Sequence, residues 1–274
     1  ERELKQRTED DMTDKRVLVT GLSGAVGSAI RPELEKRYEI AALSRSGVNG
    51  IPDALNFRGA VQDAAAIAPA FIGVDTVIHL AADGGAHSTD GMNAGWDAML
   101  NNNVVGAYNV FEAARAAGVK RVVFASTGAT VIGYEQESPW SELVSEDDSE
   151  TPVSWPNVTR DSEPKPQSLY GASKLMGEDL ARYFVNTSDM SIICLRIGGV
   201  GAQDVVNGVR GRSIYCSYAD MAQMAVKCVE APASVRFDIF YVVSNNKYGY
   251  RDIDHARDVI GFQPTGSAET APKA

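Results

Sequence analysis

The stretch Arg16-Val17-Leu18-Val19-Thr20, followed by Gly21-Leu22-Ser23-Gly24-Ala25-Val26-Gly27, constrains the fold of this chain more than any other. A short β-branched run predicts a strand, and the chain must then turn within a few residues before Ser28-Ala29-Ile30-Arg31, which continues as a helix. Glycines permit the turn and let backbone approach a ligand closely. A helix that begins there points unpaired N–H groups and the positive end of its dipole at whatever lies in front of it. Strand, glycine turn and helix in that order predict a dinucleotide pyrophosphate held by Gly21, Ser23, Gly24, Ala25, Val26 and Gly27. The spacing is Gly-x-x-Gly-x-x-Gly, with one more residue between the first two glycines than in Gly-x-Gly-x-x-Gly.

Further apolar, β-branched runs at 39–43, 74–82, 120–127, 191–197 and 239–243 predict strands, and amphipathic stretches at 96–118, around Tyr170 and at 219–230 predict helices between them. This alternation points to an α/β fold, a Rossmann-type doubly wound parallel sheet with a small C-terminal substrate lobe. The expected organisation is a flexible leader at 1–14 and a single domain at 15–274, with lobe segments at approximately 134–168, 199–216 and 244–274. The segment 135–167, acidic and holding five prolines, is too long for an ordinary connection and reads as a functional insertion or lid. The tail from Thr265 reads as frayed.

Composition removes several function classes. A net charge of −10 argues against nucleic acid or an anionic membrane as partner, and fits either an ordinary acidic protein or a salt-adapted one. With neither a long apolar run nor a basic-then-apolar leader in the sequence, the expected location is the cytoplasm. Cys194, Cys216 and Cys228 lack Cys-x-x-Cys spacing and read as reduced core thiols, and His79, His87 and His255 lack metal-ligand spacing, so no metal site is expected. His79 lies inside an apolar run and reads as a core histidine.

Chemistry concentrates at Tyr170 and Lys174, four residues apart and so on one face of a helix. A fixed cation beside a phenol favours phenolate, which predicts Tyr170 as a general base activated by Lys174 without histidine or metal. Thr127, ending a predicted strand where open α/β sheets put their chemistry, is the candidate to hydrogen-bond a substrate oxygen. Small residues at the end of the third strand, Ala81 and Ala82 after Leu80, leave room for a cofactor. The second strand ends in Ser44-Arg45-Ser46, where a hydroxyl and a guanidinium suit a 2′-phosphate, so NADP is expected in preference to NAD. The guanidinium of Arg210 could fork onto a substrate carboxylate or vicinal hydroxyls, and Asp83 and Ser88 could line the same pocket.

Taken together, these residues resemble the extended short-chain dehydrogenase/reductases, the NAD-dependent epimerase/dehydratase family. The resemblance runs from about Lys15 to about Gln263. It rests on 20–27, the His79-Leu80-Ala81-Ala82 strand end, Asn103-Val104-Val105-Gly106, Phe124-Ala125-Ser126-Thr127 and the Tyr170/Lys174 pair. Tyr134 after Ile132-Gly133, Arg210 ahead of 213–217, and 243–246 with 260–264 look like the uronate and L-arabinose sugar 1-dehydrogenases. The resemblance implies Tyr170, Lys174, Thr127 and Asn103 as the catalytic set, and Ile197 and Val61 among cofactor contacts. It places Gly128 and Gly198 beside the substrate, and implies a small-molecule sugar substrate and a homodimer or higher homo-oligomer. Uronate dehydrogenases tend to carry Asn-His directly after the catalytic hydroxyl residue; Gly128-Ala129 here leans toward a neutral sugar. Where the family often places an aspartate for adenine, this chain has Ala60, leaving adenine to the backbone at Val61. A nucleotide-sugar epimerase or dehydratase, an NADPH-dependent carbonyl reductase and a non-catalytic NADP-binding sensor are the other readings.

Overall fold

The structure, a computed structural model, describes residues 14–83, 95–147, 149, 151–201 and 203–273. Seven parallel strands form one sheet: β1 (Arg16–Thr20), β2 (Glu39–Ser44), β3 (Asn56–Arg58), β4 (Thr76–His79), β5 (Arg121–Thr127), β6 (Ser191–Ile197) and β7 (Phe237–Val242), in spatial order β3-β2-β1-β4-β5-β6-β7. The order reverses between β1 and β4, and there the carboxyl ends of the strands open a crevice. The doubly wound parallel sheet expected from the alternating runs is present. The three-residue strand β3 is too short and too polar to stand out by periodicity.

The long central strands are apolar throughout because helices cover both faces. On one face α1 (Ala25–Arg37), α8 (Tyr218–Glu230) and α9 (Asp254–Ile260) bury Ile30, Leu34, Met221, Met224, Ala256 and Ile260 against β1, β5, β6 and β7. On the other, α2 (Ala64–Ile67), α4 (Gly106–Ala116) and α6 (Leu169–Thr187) bury Ile67, Val110, Phe111, Ala181 and Phe184. Each fully buried leucine, isoleucine, valine, methionine or phenylalanine here contributes about 1.5–3 kcal/mol relative to exposure. The three cysteines are buried thiols within these layers.

The predicted helix over 96–118 is not regular. A turn of α3 (Trp96–Ala98) passes into a π-helical stretch, Met99–Val105, before α4, and Gly106 N–H bonds Asn101 O, five residues back. The extra residue per turn rotates Asn103 inward, where it is 2% exposed.

Described residues of the segment 135–167 pack onto the rest of the chain. Their short helix α5 (Trp140–Leu143), with Val158, joins Val131, Tyr241 and Tyr250 in a small separate core, and Val158 bridges to Arg251. The frayed tail expected from Thr265 is overturned. Thr265 and Gly266 donate backbone N–H groups to Asp220, Val206 N–H bonds Pro272 O, and Ala268 is 3% exposed. A buried carboxylate that accepts these bonds holds down a stretch with no periodic signal of its own. The expected leader falls almost entirely on residues outside those described.

Candidate active site

A cleft of about 450 Å³ opens at the strand-order reversal, lined by Gly21, Ser23, Gly24, 43–46, 59–62, 80–83 and Asn102. Gly21 turns the chain with φ +73°, and a Cβ there would lie 2.8 Å from Ala81 N, so only glycine lets the turn sit on the end of β4. Helix α1 starts behind it with Gly24 as N-cap, presenting its first N–H groups to the cleft. Ser44 Oγ is buried with no hydrogen-bond partner among the described residues, and Arg45 is exposed on the same rim. A glycine cradle, a helix N-terminus and an unsatisfied hydroxyl at the tip of β2 fit a dinucleotide lying across the crevice. Val61 lines the cleft, and its carbonyl accepts from Asn109 Nδ2 at 3.0 Å. Ala25, Val26 and Gly27 build the first turn of α1 behind it.

From the cleft a hydrogen-bonded path leads to Tyr170. Asn103 grips the backbone of Asp83 from both sides, Oδ1 accepting its N–H at 2.8 Å and Nδ2 donating to its carbonyl at 2.9 Å. The same Nδ2 lies 3.0 Å from Ser173 Oγ, which donates to Tyr170 O at 2.8 Å. The Thr127 hydroxyl lies close enough to the Tyr170 phenol to favour its ionised form. Thr127 Oγ1 also accepts Ala129 N–H at 3.2 Å, and Ile197 stands beside Thr127 in the β5–β6 register. Gly198 carries the chain out of β6, its N–H on Val242 O. The structure thus brings together Asp83, Asn103, Thr127, Tyr170, Lys174 and Ile197, while Ser88 lies outside the described residues.

Helix α6 can lie this close to β5 because Gly177 presents no side chain to it: a Cβ would sit 2.4 Å from the Phe124 ring. Lys174, one turn earlier, is driven beneath the strand, 2% exposed. Its Nζ donates to Ala125 O at 2.7 Å and lies 4.9 Å from the Phe124 ring centroid and 5.7 Å from that of Tyr170. Burial holds the Lys174 amine down to about 7 and raises the Tyr170 phenol above its ordinary value, the Thr127 hydroxyl opposing this only in part. Burial of both groups thus opposes the expected lowering of the Tyr170 phenol by a cationic Lys174. The physical reason is that a buried ammonium with only a carbonyl beside it is itself disfavoured. His79, pushed down to about 3 by burial and then by Lys174, is a neutral core residue bonded to the Thr20 hydroxyl at 2.7 Å.

An amine held near 7 in the fold and at about 10.4 in the unfolded chain binds more protons when unfolded between those values, so it makes stability rise with pH across that window. Lys174→Met removes the penalty: at pH 7 to 8 the variant is expected to unfold at higher denaturant concentration than the native chain, by roughly 1–3 kcal/mol. The difference should shrink toward pH 10. Urea titrations at several pH values read this directly, and a native chain more stable than the variant at pH 7 would contradict the burial argument.

Arg210 is placed differently from its predicted role. On α7 (Gly208–Ile214), it forks onto Glu135, Nε to Oε2 at 2.5 Å and Nη2 to Oε1 at 2.8 Å. Glu135 also accepts the Tyr250 hydroxyl at 2.5 Å. Sequence reasoning missed Glu135 and Arg251, whose guanidinium lies against Gly128, and it missed the pair Glu178–Arg196 behind Ser126. Their partners are distant in sequence, and no local pattern marks them.

Residues 17–259 match the NAD dependent epimerase/dehydratase family. The chain belongs to this family. Among relatives of this NAD-dependent epimerase/dehydratase chain, the NAD-dependent glucose-6-phosphate dehydrogenase of Haloferax volcanii is 33% identical, over 92% of this chain and 93% of that one. The L-arabinose 1-dehydrogenase (NAD(P)(+)) of the same organism is 29% identical over 93% and 98%. A solved uronate dehydrogenase variant from Agrobacterium tumefaciens in complex with NAD superposes with a TM-score of 0.75 at 26% identity, covering 94% of this chain and 87% of that one. No helix among the described residues is long and apolar enough to cross a membrane.

Proposed function

We propose that this chain is an NAD(P)-dependent sugar 1-dehydrogenase that oxidises the anomeric hydroxyl of an aldose to the lactone. The observation that carries the reading is the start of α6, where Tyr170 stands beside Thr127 at the end of β5 and Lys174 follows one helical turn on, with Asn103 and Ser173 joining the Tyr170 backbone to Asp83 at the cofactor cleft. Relatives acting on glucose-6-phosphate, L-arabinose and uronates support it.

The nicotinamide, when bound, supplies the acceptor for the hydride that leaves the anomeric carbon. Thr127 fixes the reacting hydroxyl by a hydrogen bond, and Tyr170 takes its proton. To accept that proton Tyr170 must first be phenolate, and Lys174, whose Nζ lies 5.7 Å from the Tyr170 ring centroid, favours that form when it carries its proton. Lys174 is also the group that would hold the nicotinamide ribose hydroxyls. Asn103 keeps Asp83, Ser173 and thus the start of α6 in place. Gly128 and Gly198 stand beside the sugar in this reading, the first making room for the Arg251 guanidinium and the second for Ile214 and Val243.

The cofactor is NAD or NADP, with NADP preferred because Ser44, Arg45 and Ser46 offer two hydroxyls and a guanidinium to a 2′-phosphate. The exposed apolar side chains Tyr108, Met176 and Tyr183 on α4 and α6 support pairing of two copies through these helices. Acidic composition and the lack of a long apolar segment in the sequence support a cytoplasmic location.

The test is the initial rate of NADPH and NADH formation with free aldopentoses, aldohexoses and uronates at low and high salt, for the native chain and Arg45→Ala. Lactone formation is expected, with the NADP/NAD ratio of kcat/KM falling on the order of tenfold in the variant. No turnover of any free sugar would transfer the site to nucleotide-sugar chemistry, and an unchanged ratio would remove Arg45 from the cofactor reading.

A further inference from the structure

Beyond Thr127 lies a cluster of charges that the reaction does not use. Glu135 ends the turn after β5, with its side chain 9% exposed, and carries the bidentate pair with Arg210 and the Tyr250 hydroxyl bond. A second guanidinium, Arg251, is buried 3.7 Å from Glu135 Oε1, and its Nε and Nη1 have no partner among the described residues. Its Nη2 lies 3.4 Å from Gly128 O, and a Cβ at residue 128 would come within 2.8 Å of it. The guanidinium thus fills the space a side chain at residue 128 would need. Arg210, Glu135, Arg251 and Gly128 form a continuous line of contacts ending at Thr127.

Arg210 is the cation best placed by chemistry to fork onto a carboxylate or phosphate of a sugar, and Glu135 already occupies that fork. A tethered, buried carboxylate competes at a high effective concentration against any free anion. Displacing it would also cost Glu135 its bidentate partner and leave only the more distant Arg251 guanidinium, 3.7 Å away, to balance a buried carboxylate. A neutral sugar faces no such contest, because hydroxyls can share the outer edge of Arg210, which is 37% exposed.

We propose that Glu135 is a built-in counter-anion that sets the charge selectivity of the sugar pocket, excluding aldoses that carry a carboxylate or phosphate at the end remote from the anomeric carbon. Gly128 belongs to the same device, since it admits the Arg251 guanidinium that helps hold Glu135 in place. This assignment rests on the aldose dehydrogenase reading and narrows it to neutral sugars.

The experiment compares substrates that differ in charge and little else: D-glucose, D-glucuronate and D-glucose-6-phosphate, and D-galactose with D-galacturonate. The native chain should favour the neutral member of each set. Glu135→Gln keeps the size of the side chain and frees Arg210, and should shift the anionic-to-neutral ratio of kcat/KM toward the anion on the order of tenfold or more, mainly through KM. Should that variant not fold because the buried Arg251 guanidinium loses its carboxylate, Glu135→Gln with Arg251→Met removes the surplus charge and leaves Arg210 free. A native chain that prefers the anionic sugars, or a folded variant with an unchanged ratio, overturns the assignment. No turnover of any sugar by the native chain overturns the aldose reading itself.

Discussion

Replacing Tyr170 with Phe is expected to lower kcat by a factor of about 10² or more while the dissociation constant for the cofactor stays nearly unchanged. The ring keeps its place between the start of α6 and the end of β5, since only the hydroxyl that meets Thr127 is lost. The native enzyme is also expected to gain kcat/KM as pH rises on the acidic side, because burial keeps the phenol protonated in the resting site; the variant should lose that limb. Steady-state rates across pH, with a fluorescence titration of the cofactor, separate the two effects. Unchanged turnover in a variant that still binds cofactor would remove Tyr170 from proton transfer.

The largest loss of stability is expected from breaking the buried pair behind the site. Arg196 and Glu178, whose side chains are 2% and 5% exposed, meet through Nη2–Oε2 at 2.8 Å and Nε–Oε1 at 3.0 Å. Glu178 also accepts the Ser126 hydroxyl at 2.6 Å, and Arg196 reaches the Tyr241 hydroxyl at 3.1 Å. The pair thereby ties α6 to β5, β6 and β7 directly beneath Thr127 and Lys174. Arg196→Met leaves a buried carboxylate without its cation and should cost about 3–5 kcal/mol. The double replacement Arg196→Met with Glu178→Leu removes both charges and should recover much of that loss. A double-mutant cycle by chemical denaturation measures the coupling, and additive losses would mean the two charges do not depend on one another.

Part of this molecule follows from short stretches of sequence. The turn at Gly21 needs a positive φ and an open side, and a β-branched run before it with a helix-forming run after it leave few alternatives. The helical spacing of Tyr170 and Lys174 and the hydroxyl of Thr127 at a strand end are equally local. These readings succeed because their physics is contained within a few residues: backbone sterics, strand and helix periods, and the reach of one turn.

What distance in the chain decides could not be read this way. The pairing of β3 with β2, the docking of the tail on Asp220, and the fork of Arg210 on Glu135 each join residues that no periodic pattern connects. The inward turn of Asn103 depends on a π-helical step, and the low proton affinity of Lys174 depends on burial beneath Phe124 and Ala125. The sequence by itself determined six of the strands, the glycine turn at Gly21 and the one-turn spacing of Tyr170 and Lys174, because each is set by the chain's own local geometry. Only the tertiary structure decided the charge state and partners of those side chains, because desolvation and ion pairing are properties of the space that distant segments enclose together.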